Sequence, residues 1–234
     1  MRTQALDRFF QLLDRDPGGE VFNPWKRRDA GTDTRHNGPA ARRARLAAHL
    51  STKPRRILIG EAAGYQGCHV SGIPFTSERL VMAGVIPRVM CDGRRLSSRR
   101  LPWSEPSATT VWGTLRTLGI ERDTVLWNAF PWHPHRRGEL QSNRTPTRTE
   151  RALGMVVLDA LLTAFPDAAV FAVGRHAEAA LHDAGRAAVT LRHPSMGGAT
   201  VFRRGLQAGI LAGAAIEPNR RRTTFPDIEK PNRT

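Results

Sequence analysis

Cysteine is nearly missing from this chain: Cys68 and Cys91 are the only two in 234 residues. Two thiols cannot supply the four thiolates of an iron–sulfur cluster, so no such cluster is expected. They fit a reduced cytosolic setting better than a disulfide scaffold. Long apolar runs are missing as well. No stretch approaches the roughly 20 residues of a membrane span. Arg2, Asp7 and Arg8 interrupt the opening segment where a signal peptide would need an apolar core. A soluble protein of a bacterial-type cytosol or nucleoid, with no membrane partner, is therefore expected. Acidic residues are the third shortage: 21 Asp and Glu stand against 36 Lys and Arg, for a formal net charge of +15. That balance favours a polyanionic partner, because each cation placed on a phosphate releases a condensed counterion. The excess is mostly Arg, whose planar fork suits phosphate oxygens.

What is present begins with helical spacing of Leu6, Phe9, Phe10 and Leu13, stopped by Pro17, Gly18 and Gly19. Residues 23–39 read as a polar loop and 40–50 as a basic helix, so 1–50 is expected to form a helical extension packed on the core. Strands and helices then alternate. Apolar strands are predicted at 55–60, 124–130, 168–173 and 188–192, and helices at 76–84, 108–118, 147–164, 174–184 and 199–212. Thr76 or Ser77 would cap the first of these helices. Thr147 and Glu150 have capping-box spacing, and Leu153, Val156, Val157, Ala160 and Leu161 form the expected apolar face of the long helix. The pattern implies an α/β fold over 51–216, three-layered α/β/α with a central, mostly parallel four-stranded sheet. Residues 91–106 read as an Arg-rich loop and 217–234 as a disordered basic tail.

In open parallel sheets the ligand sits beyond the carboxyl ends of the strands, and the unusual motifs of this sequence all fall there. The first strand runs into Gly60-Glu61-Ala62-Ala63-Gly64-Tyr65-Gln66-Gly67-Cys68, whose small residues allow close backbone approach to a ligand or simply a tight connection. Phe75, just before a helix, offers an aromatic face to a flat ring or belongs to the core. The second strand carries Trp127-Asn128, an amide that can donate and accept at a heterocycle edge or bond a loop backbone. His133 and His135 lack a third ligand, and no metal is expected. Arg144, in Asn143-Arg144-Thr145-Pro146, would contact a phosphate or hold the loop. The fourth strand ends in Arg192-His193-Pro194-Ser195-Met196-Gly197, where His193 is placed as a general acid, an electrostatic stabiliser or a structural group.

Together, in this order, these segments resemble the uracil-DNA glycosylase superfamily over roughly residues 55–212. Gly60-Glu61-Ala62-Ala63-Gly64 is closer to the Gly-Glu-Ala-Pro-Gly of the iron–sulfur branches than to the Asp-bearing first motif of the best-known branch. Asn143-Arg144-x-Pro146 with Glu150 is similar to a segment of the thermophile-type branch. The chain is identified as an atypical member that lacks the cluster cysteines. The resemblance implies a monofunctional glycosylase, without cofactor and expected to be a monomer. Its partner would be DNA containing uracil or another deaminated base, hypoxanthine or xanthine included. His193 would stabilise charge growing on the base. Glu61 would position water, with Glu78 in reserve. Gly60, Ala62 and Phe75 would hold the base, Phe75 by stacking. Asn128 would read its edge, and either Tyr65 or Gly67 would stand near C5. Ser195, Met196 and Gly197 would enter the duplex, while Arg144, the arginines of 91–100, Arg136 and Arg137 would meet phosphates.

Three other readings compete. A binding-only relative would keep affinity without His193. A phosphate enzyme using Gly60–Gly67 as an anion turn would need a lysine or dinucleotide spacing that the turn lacks. A basic structural protein would need neither Phe75 nor the His-Pro-Ser loop.

Overall fold

The computed structural model describes residues 2–212. The tail from 217 lies outside them. In chain order the elements are α1 (Arg2–Leu13), β1 (Val21–Phe22), α2 (Pro39–Leu50), β2 (Arg56–Ala62), α3 (Cys68–Ser71), α4 (Glu78–Met82) and α5 (Pro106–Thr117). Then come β3 (Thr124–Phe130), β4 (His133–Pro134), α6 (Arg148–Ala164), β5 (Ala169–Val173), α7 (Arg175–Asp183), β6 (Val189–Leu191) and α8 (Ala199–Ala212).

The main sheet has the order β3-β2-β5-β6, and every pairing is parallel. Its strands are apolar on both faces because both are covered. Ile57, Ile59, Val125, Trp127, Val170 and Ala172 point into one core with Phe9, Val157 and Leu161. The alternate positions Leu58, Leu126, Phe171 and Val173 point into a second core with Trp112, Leu115, Phe202 and Leu206. Helices α1 and α6 thus cover one face and α5 and α8 the other, giving the α/β/α layering expected. A separate two-stranded ribbon pairs β1 with β4 antiparallel, tying the N-terminal segment to the end of β3.

The N-terminal segment is packed into this body. Phe9 meets Trp127 edge-on with ring centroids 4.9 Å apart. Trp25 Nε1 donates to Gly72 O, and buried Arg42 pairs with buried Asp33. Asn37 Nδ2 donates to Asp33 Oδ1 and to Val70 O, which fastens this network to α3.

Two local expectations are corrected. On α6, Leu153 and Val156 are 37% and 41% exposed, and Gly154 and Leu158 are buried in their place. Helical spacing admits both arcs, and packing against β3 and α1 selects the second. At α4, Ser77 occupies the N-cap position without a capping bond, while Thr76 Oγ1 is held by Pro74 O and Trp112 Nε1. The box on α6 is made as its spacing suggests, with Thr147 Oγ1 accepting from Glu150 N and Glu150 Oε2 from Thr147 N.

Candidate active site

Strand register creates the floor of the site. Gly60 on β2 pairs with Asn128 on β3, and both lie near the carboxyl ends of their strands. A Cβ at position 60 would stand 2.5 Å from the Phe75 ring and 2.7 Å from Asn128 Oδ1. The absent side chain is what lets ring and amide converge on one point. Phe75 itself has φ of +51°, a left-handed conformation that non-glycine residues seldom adopt. Such strain persists only where surrounding packing fixes it, and it concentrates at ligand sites.

His193 comes from the turn after β6, on the far side of β5 and β2 from Asn128. Its ring lies 6.3 Å from that of Phe75. The Ser195 backbone N–H points at Nδ1 from 3.2 Å and the Ser195 hydroxyl lies 2.7 Å away. A backbone N–H can only donate, so Nδ1 is the acceptor and the ring proton of the neutral form sits on Nε2. Burial, with the Arg192 charge beside it, holds the imidazole below its usual range. The group is therefore neutral near pH 7, with one N–H that no hydrogen bond to a described residue engages.

These groups open on a cleft of about 1130 Å³, also lined by Glu61, Ala62, Glu105, Asn143 and His176. Glu61 Oε1 is buried and accepts no hydrogen bond; His176 Nδ1 lies 3.9 Å from it. Asn143 Oδ1 accepts from the Tyr65 N–H, fixing the turn after β2 against the segment before α6.

The structure thus brings Glu61, Ala62, Phe75, Asn128 and His193 together around one cleft, with Gly60 beneath and Ser195 at its edge. Other expected groups stand elsewhere. Tyr65 packs edge-on against Trp103 at 5.3 Å and does not line the cleft. Gly67 is covered by Glu105, whose Oε2 lies 1.8 Å from where a Cβ would be. Met196, φ +51°, and Gly197, φ +74°, form an exposed loop tip, with the Met196 side chain 92% exposed.

Glu78 is corrected outright. It is fully buried outside the cleft, with Oε1 accepting from Arg95 Nε, Leu96 N and Ser97 N and Oε2 from Ser97 Oγ and Trp103 N. Burial alone would raise its carboxyl, but these donors outweigh that and hold it below the usual range. It anchors the Arg-rich loop. Arg144 lines the cleft, and of its two expected roles the loop-holding one is made. Its guanidinium donates twice to Glu150 at 2.7 Å and also to Glu20 O, His135 O and Thr145 O. A guanidinium has five N–H donors, and all are engaged, so Arg144 holds the loop and has none left for phosphate.

Sequence reasoning passed over Glu105, Arg175 and His176, which also line the cleft. Only the last two carried a signal, since they open the helix after a strand end. His133 belongs to a buried chain in which His69 links it to Asp29, at 2.9 Å and 3.0 Å, while its Nε2 meets Ser142 O at 2.7 Å. Among the described residues no group of three or more His, Cys, Asp or Glu is placed to hold a metal ion, and no helix is long and apolar enough to cross a membrane.

A family model described as the uracil DNA glycosylase superfamily matches residues 48–204. Among solved structures, wild-type SMUG2 from Pedobacter heparinus is similar, with a TM-score of 0.61 and 17% identity over 90% of this chain and 97% of that one. No curated protein sequence matches significantly.

Proposed function

Since the chain belongs to the uracil-DNA glycosylase superfamily, we propose that it removes uracil, or a related deaminated base, from DNA by hydrolysing the N-glycosidic bond. The observation that carries this reading is His193, a neutral imidazole with its proton fixed on Nε2 at the edge of a cleft floored by Phe75 and Asn128.

In the proposed reaction the flipped base stacks on Phe75. Asn128 offers an acceptor to N3–H and a donor to O4, a pattern that cytosine does not match. The bond between C1′ and the base breaks with its electron pair leaving on the base. His193 Nε2–H hydrogen-bonds O2 as negative charge gathers there. Glu61, which lines the cleft, faces the cationic sugar and takes the proton of the attacking water. The Ser195–Gly197 tip fills the gap left in the duplex, at a flipping cost of a few kcal/mol repaid in the pocket. Exposed arginines of the Arg-rich loop, among them Arg99 stacked 3.6 Å over Trp103, meet phosphates.

The test is excision of one uracil from labelled single-stranded and duplex oligonucleotides, with hypoxanthine and xanthine beside it. His193→Ala is expected to lower turnover by about 100-fold or more with little loss of DNA affinity. Glu61→Gln is expected to lose a similar factor. Absence of product from every base would leave a protein that only binds damage.

A further inference from the structure

The acid over Gly67 has no assigned task. Glu105 ends the loop before α5 and lines the cleft beside Cys68 and Phe75. Its Oε1 accepts the Ser107 hydroxyl at 2.6 Å. Its Oε2 occupies the space a side chain at position 67 would take, 1.8 Å from that Cβ position, and takes no hydrogen bond from any described residue. So one carboxyl oxygen is pinned and the other is left to the cleft.

We propose that Glu105 is the specificity-determining residue at the C5 side of the base, a polar wall that admits a hydrogen and turns away a methyl group. This rests on the glycosylase reading above. With the base on Phe75, Asn128 at O4 and His193 at O2, C5 is the ring atom next to C4 on the side away from His193. Glu105 faces the same cleft from the start of α5, over Gly67 of the turn after β2. Tyr65 and Gly67 do not form this wall: Tyr65 is turned onto Trp103, and Gly67 lies behind the carboxyl. A methyl pressed on Oε2 would bury an oxygen without a partner, a penalty that a hydrogen at C5 does not impose. Burial pushes the carboxyl up, against the pull of the Ser107 hydroxyl. A charged oxygen rejects a methyl more strongly than a neutral one.

The experiment measures affinity for oligonucleotides carrying a single 2′-fluoro-arabino uracil nucleotide or its 5-methyl counterpart, whose fluorine slows cleavage. Wild-type protein should prefer the unmethylated base by about tenfold or more. Glu105→Ala should narrow the preference to about twofold, and the isosteric Glu105→Gln should keep most of it. Glu105→Ser, which also opens the wall, should narrow it to a similar extent. No wild-type preference, or an unchanged ratio in Glu105→Ala or Glu105→Ser, overturns the proposal. Glu105→Ser decides the matter if Glu105→Ala does not fold. Uracil excision from ordinary oligonucleotides is scored in parallel. Its absence sinks the glycosylase reading, while the binding ratios judge Glu105 separately.

Discussion

At position 60 a single missing methyl group decides whether the site exists. The strand register sets Gly60 opposite Asn128, and the Phe75 ring leans over both. Phe75 has little freedom to retreat, because its backbone is already in the left-handed region. Gly60→Ala forces the ring, the amide or β2 itself to shift. The expected cost in stability is modest, about 1–3 kcal/mol, as for other overpacked positions. The expected loss in kcat/KM is larger, about 100-fold, since displacements near 1 Å at reacting groups have that effect. Thermal melting beside excision assays separates the two. A variant that melts like wild type and cleaves like wild type would show that the ring and amide do not act as a pair.

At the scale of elements, the Arg-rich segment between α4 and α5 is a loop with an internal anchor. One buried carboxylate, Glu78, collects three backbone N–H groups, one hydroxyl and Arg95. Glu78→Gln sets an amide donor against N–H donors and leaves Arg95 unmatched. A loss of about 3–5 kcal/mol is expected, the scale for breaking a buried charge pair. Proteolysis after Arg94, Arg99 and Arg100 should accelerate. A catalytic Glu78 would instead lose activity at unchanged melting temperature. The contrast between Glu78 and Glu61 marks what the sequence could carry. Strand ends are legible from apolar runs and turn residues, so Glu61, Asn128 and His193 were placed by position. Glu78 also stands at a helix start near a motif, but whether that turn faces the cleft or the core depends on the loop folding back over it. Leu153 and Val156 were misplaced for a related reason, since periodicity gives an apolar arc and not its rotation. Glu105 was illegible altogether. Nothing in Ser104-Glu105-Pro106 says that its carboxyl will settle on a glycine in a different motif.

For the molecule as a whole, the relevant quantity is how many imidazoles fold away uncharged. Burial, with Arg88 nearby, pushes His49 down to about 3. Its Nε2 accepts the Leu126 N–H and so links α2 to β3. Burial, with His69 beside it, pushes His133 down to about 3 as well. Above the unfolded histidine value of about 6.5 both groups are neutral in either state and add no pH dependence. As pH falls through that value the unfolded chain takes up protons and the folded one does not. Each group then removes about 1.4 kcal/mol of stability per pH unit, down to the folded value. Glu105 works with the opposite sign. Its folded carboxyl is raised, so above the unfolded glutamate value of about 4.5 it binds more protons in the folded state. Part of the histidine slope is thereby offset. Asp29 and Glu78 are lowered, so their contributions are lost only at more acidic pH. The net expectation is a loss of about 2–4 kcal/mol between pH 7 and pH 5, read from urea midpoints at the two values. His49→Gln can keep the bond to Leu126 through its amide oxygen, and it should recover about half of that loss at the acid end. A midpoint that holds steady from pH 7 to pH 5 would mean that the buried imidazoles take up protons in place, and the ladder from Asp29 through His69 to His133 would then be the place to look for the charge.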